Sequence, residues 1–182
     1  MEKMEIMEVV SVTAVGMGTR VCLDLIDELK AEEGILVGNT GNGYVLVLSE
    51  NRTTETYPPR AFRINGGALH QYVYLGDGKT TYLSEMKPGL ELPVWNGTDW
   101  RKVSVGRVKV EKRPFLRIVC RVEGTNQEIS ATLQEADSVH LLTAEGEEKP
   151  LVNLTPGDRI TCYPDQPGRH LGEKIEEEIH EF

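Results

Sequence analysis

The sequence is short of several things, and each shortage excludes a class of protein. Only three of its 182 residues are cysteine, Cys22, Cys120 and Cys162. They are odd in number and far apart, with no CxxC pair. With His70, His140, His170 and His180 they assemble no zinc-ligand spacing, so no metal is expected. A reducing, cytoplasmic setting is the default for such cysteine usage. Basic residues are outnumbered: 20 Lys and Arg against 29 Asp and Glu leave a formal charge of -9. The chain therefore lacks the basic footprint of sequence-independent nucleic-acid binding. No run approaches the roughly 20 apolar residues of a membrane helix. The opening residues Met1 to Ile6 lack a basic region followed by an apolar stretch, so no signal peptide is expected.

What is present suits one folded β-rich domain over residues 1–182. Apolar residues make up 39%, enough for a chain of this size to bury roughly two-thirds of its unfolded surface. The 18 glycines and 9 prolines are spread between short runs of branched and aromatic residues, which reads as many short strands joined by turns. Val9 to Val15 is the first strand candidate. Residues 20–30 are expected to form one short N-terminal helix, because Val21, Leu25, Ile26 and Leu29 recur at helical spacing. Thr19 or Asp24 would cap it. Residues 35–48 carry the strongest hairpin signal, turning at Asn39-Thr40-Gly41-Asn42-Gly43. Trp95 and Trp100 are expected to cover a hairpin end.

A pattern recurs at an offset of 68 residues. Leu83 to Leu92 matches Leu151 to Ile160 through the steps Pro88-Gly89 and Pro156-Gly157, in which proline presets the first turn angle and glycine takes the reversed second one. The expected repeat spans residues 70–112 and 138–174. Packed on itself it would give duplicated small β barrel or sandwich units; chance recurrence of a common turn is the alternative. The tail from Lys174 is expected to be a strand.

Three places carry candidate chemistry. Gly16-Met17-Gly18-Thr19-Arg20, read as a strand-to-helix turn, can present backbone donors and Arg20 to a phosphate, although it is only GxG. In residues 60–70, Arg60 and Arg63 can share one anionic group through their donor forks. There Asn65-Gly66-Gly67 permits close backbone approach, and His70 can move a proton near neutral pH. A solvated arginine pair, a glycine turn and a satisfied histidine explain the same residues equally well. Arg169 and His170, between Gly168 and Gly172, form a second anion-site candidate.

The chain resembles the C-terminal portion of the second, archaeal-type family of 3-dehydroquinate synthases. The segments carrying the resemblance are Val15 to Cys22, Gly34 to Gly38, Pro59 to Gly67 with His70, Lys79 to Glu85, Val105 to Glu111, Thr132 to Gln134 and Gly168 to Gly172. They occur in family order. The resemblance implies NAD-dependent oxidative deamination of 2-amino-3,7-dideoxy-D-threo-hept-6-ulosonate, an anionic amino sugar acid, with cyclisation to 3-dehydroquinate. On that reading His70 and Glu85 are catalytic candidates. Arg60, Arg63, Asn65, Gly66, Gly67, Arg169 and His170 would bind substrate, and Gly16, Gly18 and Arg20 would meet cofactor phosphate. Family members resemble a chain about twice as long, so a separate N-terminal-half protein or a homo-oligomer is the expected partner. A noncatalytic β module and a relic of the enzyme are the other readings.

Overall fold

The computed structural model describes residues 2–166, 169, 170, 173, 174 and 179–182. The strands are β1 (Glu5–Leu25), β2 (Gly34–Gly38), β3 (Gly43–Leu48), β4 (Arg63–Ala68), β5 (Tyr72–Gly76), β6 (Lys79–Tyr82), β7 (Glu91–Trp95), β8 (Trp100–Val122), β9 (Glu128–Gln134), β10 (His140–Leu142), β11 (Glu148–Pro150), β12 (Arg159–Pro164), β13 (Arg169–His170) and β14 (Glu173–Lys174). Strands β1 to β12 form one sheet in the order β11-β10-β3-β12-β1-β8-β7-β2-β5-β6, with β4 on β1, β9 on β8, and β2 also paired with β3. The pair β13–β14 stands apart from that sheet.

The fold is mainly β, but the expected short helix at 20–30 and the duplicated small barrels or sandwiches are not what forms. A single 12-stranded sheet replaces the small units. Among the described residues the only helical turns are three-residue 3-10 turns at Leu83–Glu85 and Leu151–Asn153. Residues 20–25 finish the 21-residue strand β1 instead. The reason lies in a second periodicity of the same residues. Val21, Leu23 and Leu25 alternate into the core, while Arg20, Cys22 and Asp24 take the opposite face. Strand β8 pairs with β1 from Met7↔Val122 to Leu25↔Val105, and β4 pairs with its far end, so hydrogen-bonded neighbours flank residues 20–24 on both sides. That tertiary pairing outweighs a helical spacing of four apolar residues.

Gly16 and Gly18 consequently lie inside a strand, not at a strand-to-helix turn. Gly16 has φ +91° and sits where the β1–β8 register shifts between Ala14 and Gly16. That is the use of glycine at a bulge, where the bent backbone needs left-handed angles.

The core follows from strands buried on both faces. Ile35 and Val37 of β2 and Val45 and Val47 of β3 join the main apolar cluster. Leu36, Tyr44, Leu46 and Leu48, on the opposite faces, pack with Tyr72 and Tyr74 in a second. The hairpin turns at 39–42 as its sequence indicates, with register Gly34↔Leu48. Trp95 pairs with Trp100 at the end of β7 and β8, ring centres 5.1 Å apart.

The two stretches related by the 68-residue offset trace similar local paths. The hairpins β5–β6 and β10–β11 each lead into a 3-10 turn opening on a fully buried leucine, Leu83 or Leu151. A turn follows in which Gly89 has φ +94° and Gly157 φ +96°. The strands that leave are β7, paired with β8, and β12, paired with β1.

Candidate functional site

Two groups of polar side chains stand out, each joining buried members to exposed ones such as Arg107 in the first and His70 in the second. The first lies on the face of β4, β1 and β8 that carries Arg20, Cys22 and Asp24. Antiparallel register puts Arg63 and Asn65 of β4 beside Asp24 and Cys22, and Arg107, Lys109 and Glu111 of β8 across from Asp24, Cys22 and Arg20. Arg63 grips Asp24 with two donors, Nε to Oδ1 at 2.7 Å and Nη2 to Oδ2 at 3.1 Å. Arg107 Nε donates to the same carboxylate at 2.7 Å. Burial works to raise the Asp24 carboxyl, but these guanidinium groups hold it below its ordinary value. An open recess of about 330 Å³ borders the cluster, lined by Asp24, Leu25, Phe62, Gly106 and Arg107.

Four residues back on the same face of β1, Arg20 Nη1 donates to Gln134 Oε1 at 2.7 Å, and its Nη2 pairs with Glu111. Asn65 Nδ2 donates to the same Gln134 oxygen at 2.8 Å. Arg20 is only 8% exposed, and its buried Nε has no acceptor among the described residues. Two further buried groups belong to this region, Cys22 and Glu50. Burial pushes the Cys22 thiol up to about 12, which makes it inert packing. Burial also raises the Glu50 carboxyl, whose ion-pair contact is with Arg60 Nη1 at 3.9 Å.

The second group surrounds the turn at 39–42. Asn39 Oδ1 accepts from Thr132 Oγ1 and pairs with His70 Nε2, both at 2.8 Å. Because an amide oxygen only accepts, this contact requires the proton on Nε2 and makes Nδ1 the acceptor nitrogen of a neutral ring. Partial burial holds the His70 imidazole below its ordinary value. Beyond it, Glu181 of the tail is seated by Gly41 N–H at 2.7 Å and by the Tyr72 hydroxyl at 2.9 Å.

The residues expected to work together are thus divided. Arg63 and Asn65 share the first face, with Arg20. Arg60 turns away, its guanidinium 5.5 Å from the centre of the Tyr57 ring and near Glu50. His70 belongs to the second group. Glu85 is exposed and accepts from Tyr82 N–H at 3.3 Å, at the head of its own 3-10 turn. Gly66 and Gly67 make room for the chain itself: a Cβ on Gly66 would stand 2.8 Å from Leu83, and one on Gly67 would stand 2.4 Å from the Thr132 carbonyl. Arg169 and His170 pair as backbone with Lys174 and Glu173; their side chains lie outside the described residues.

Asp24, Gln134, Arg107 and Glu50 in the first group, and Asn39, Gly41 and Tyr72 in the second, were not among the expected site residues, although Asp24 was a cap candidate, Arg107 and Gln134 lie in segments that carry the resemblance, and Asn39 and Gly41 lie in the expected turn. The alternation Arg20-x-Cys22-x-Asp24 inside an apolar strand was the available signal for the first. For the second there was none, since Gly41 and Tyr72 act through a backbone N–H and a long-range contact.

A dinucleotide pyrophosphate is typically met by backbone N–H groups at a helix N-terminus. Gly16 and Gly18 supply no helix, and a Cβ on Gly18 would meet the Phe115 ring at 3.1 Å. These glycines do not fit the cofactor role expected of them.

Comparison with known proteins gives the family. The model of the 3-dehydroquinate synthase II C-terminal domain matches residues 6–182. The chain belongs to that family. It is 43% identical to a 3-dehydroquinate synthase of Methanocella arvoryzae over 176 residues, 94% of this chain and 46% of the relative. A 3-dehydroquinate synthase of Methanopyrus kandleri is 39% identical over 178 residues, 96% of this chain and 44% of the relative. A 3-dehydroquinate synthase homolog of Persephonella marina is 39% identical over 183 residues, 99% of this chain and 55% of the relative. The chain spans about half the length of the curated relatives it matches. No solved structure matches it. Among the described residues no helix is long and apolar enough to cross a membrane.

Proposed function

We propose that the chain supplies the substrate-holding C-terminal part of a 3-dehydroquinate synthase of the second family, a deaminating oxidoreductase. Its substrate on this reading is 2-amino-3,7-dideoxy-D-threo-hept-6-ulosonate, oxidatively deaminated and cyclised to 3-dehydroquinate with NAD as oxidant. The nicotinamide cofactor is held chiefly by a separate partner equivalent to the first half of the relatives. The observation that carries the reading, beside the family, is Arg20. A buried guanidinium N–H without an acceptor is costly, and a rearrangement of Arg20 around an anionic ligand would relieve it.

The test is NADH formation from the amino sugar acid, with the chain alone and with a family N-terminal half added. Activity is expected only in the mixture, and Arg20→Met is expected to abolish it while leaving the melting temperature within a few degrees. Thermal shift with substrate gives the equilibrium counterpart. If neither turnover nor a ligand-dependent melting shift occurs under any partner condition, with the fold intact, the reading falls. A noncatalytic β module is the second reading. The closure of Arg63 and Arg107 on Asp24 favours it, because those charges are already satisfied within the chain.

A further inference from the structure

The contact between Glu181 and the 39–42 turn joins residues 140 positions apart in sequence, and no part of the first polar face takes part in it. Its two donors address the two oxygens of one carboxylate: Gly41 N–H meets Oε1 and the Tyr72 hydroxyl meets Oε2. Both donors are set by contacts that do not involve the tail. Asn39 N–H donates to the Ser130 carbonyl at 2.9 Å, and the Asn42 carbonyl accepts from Asp165 N–H at 2.9 Å and from Gln127 Nε2 at 2.6 Å. Tyr72 is fixed in β5 between Gly38 and Tyr82. Its ring stacks on that of Tyr82 at 5.2 Å, and it is 8% exposed. Burial first, and the seated carboxylate second, raise the Tyr72 phenol, so it remains a donor at neutral pH.

We propose that the 39–42 turn and Tyr72 form a binding site for the carboxylate of a small organic acid, which Glu181 occupies as a tethered competitor. The seat is preorganised, which is what a ligand site needs and a casual tail contact does not. Tyr82 beside it is 47% exposed, so the aromatic wall is open to a ligand. Phe182, beyond Glu181, is fully exposed, so the tip of the tail adds no apolar burial that a competitor would have to match. Asn39, two residues before Gly41, holds the His70 ring, and Ser84 N–H donates to the Leu69 carbonyl, which brings the 3-10 turn bearing Glu85 alongside. A carboxylate held here would lie beside the hydrogen bond that joins Asn39 to His70. The identity of the ligand as a sugar-derived acid rests on the function proposed above; the site itself does not.

The experiment is a titration of the whole chain with quinate, followed through the Gly41 amide by heteronuclear NMR. It is run on the wild type, on Glu181→Gln, and on a variant lacking residues 179–182. Saturable Gly41 shifts are expected, with quinate bound at least tenfold more tightly once the tail carboxylate is removed. Tyr72→Phe, placed in the shortened chain, keeps the ring stack and is expected to weaken quinate about tenfold. Methyl quinate, which lacks the charge, is expected to leave Gly41 unmoved. The proposal is overturned if the shortened chain, folded by its spectrum, shows no saturable Gly41 shift. It is equally overturned if affinity is the same with and without the tail, or if methyl quinate acts like quinate. Acetate is tested alongside. Acetate binding as tightly as quinate would uphold the site and count against the sugar-acid function, so the two readings fail separately.

Discussion

The arginine-rich face and the turn at 39–42 both gather polar groups around a buried few, yet they satisfy themselves in opposite ways. On the first, opposite charges close on one another: Arg63 and Arg107 converge on Asp24, and Arg20 reaches Glu111. On the second, two donors, a backbone N–H and a phenol, meet one carboxylate brought from the distant tail. Density of charge is therefore a poor guide to readiness for a ligand. The more charged region is the more internally satisfied, and among its described residues Arg20 Nε is the buried donor left without an acceptor.

The sharpest way to break this comparison is Asp24→Asn. If the first face is closed, removing the shared carboxylate charge leaves Arg63 buried without its counter-ion, a loss of roughly 3–5 kcal/mol. At about 2–4 °C per kcal/mol for a chain of this size, melting should fall by about 6–20 °C. The pH dependence has a definite sign. Asp24 is held below its ordinary value in the fold, so its stabilisation is complete above the unfolded carboxyl's pKa of about 3.9 and fades as pH falls through the lower folded value. Thermal melts on either side of that window should show an acid limb that Asp24→Asn partly lacks. A loss under about 1 kcal/mol at neutral pH would mean the pair is not the closed unit described.

Gly67→Ala probes the link between the regions, since Gly67 lies between Asn65 and the turn that bears His70. Its φ is +88°, and a Cβ would stand 2.4 Å from the Thr132 carbonyl and 2.8 Å from Gln71 Nε2. Gly16→Ala is the matched control, with φ +91° and nothing within 4 Å of the new atom. Left-handed backbone alone costs about 1–2 kcal/mol. Denaturant melts should give Gly16→Ala that loss and Gly67→Ala clearly more. Equal losses would show that β9 gives way easily, and that the Thr132–Asn39–His70 arrangement is soft.

These contacts explain what was legible in the sequence. The hairpin at 39–42 showed because its turn residues act locally. The fate of residues 20–25 did not, because two readings of the same apolar residues compete. Val21, Leu25 and Leu29 fit a helix; Val21, Leu23 and Leu25 fit a strand. The partners that decide, Arg63 to Ala68 and residues 105–111, lie more than 35 residues away. Arg60 and Arg63 looked like one clamp because they are three apart. The isolated bridge between Glu50 and Arg60 puts Arg60 outside β4, whereas Arg63 opens that strand beside Asp24. The Glu181 seat was invisible, since a backbone N–H has no letter in the sequence.

Glu50→Gln asks whether every charge on the first face is matched. Burial raises the Glu50 carboxyl, so the fold favours its protonated form. Stability is then full below the unfolded glutamate pKa of about 4.3 and declines as pH rises through the higher folded value. Glutamine should therefore stabilise the chain at neutral pH, by about 1 kcal/mol or a few degrees, with the difference vanishing near pH 4. If glutamine destabilises at pH 7, Arg60 holds Glu50 as a working ion pair despite the 3.9 Å separation.

The smallest expected effect is the most useful for function. Glu85 is exposed, and its bonds are a 3.3 Å contact from Tyr82 N–H and a 3.4 Å contact from Thr81 Oγ1. Such a surface cap is worth under about 1 kcal/mol, so Glu85→Ala should move melting by no more than a degree or two. Asp24, Arg63 and Gly67 cannot be altered without loosening the fold, so activity lost in those variants says little about chemistry. Glu85 carries no such ambiguity. If turnover in the presence of the N-terminal half falls at least a hundredfold in Glu85→Ala while melting stays put, the second region is where protons move. If turnover is unchanged, Glu85 is a cap and nothing more, and His70 is left as the proton carrier of that region.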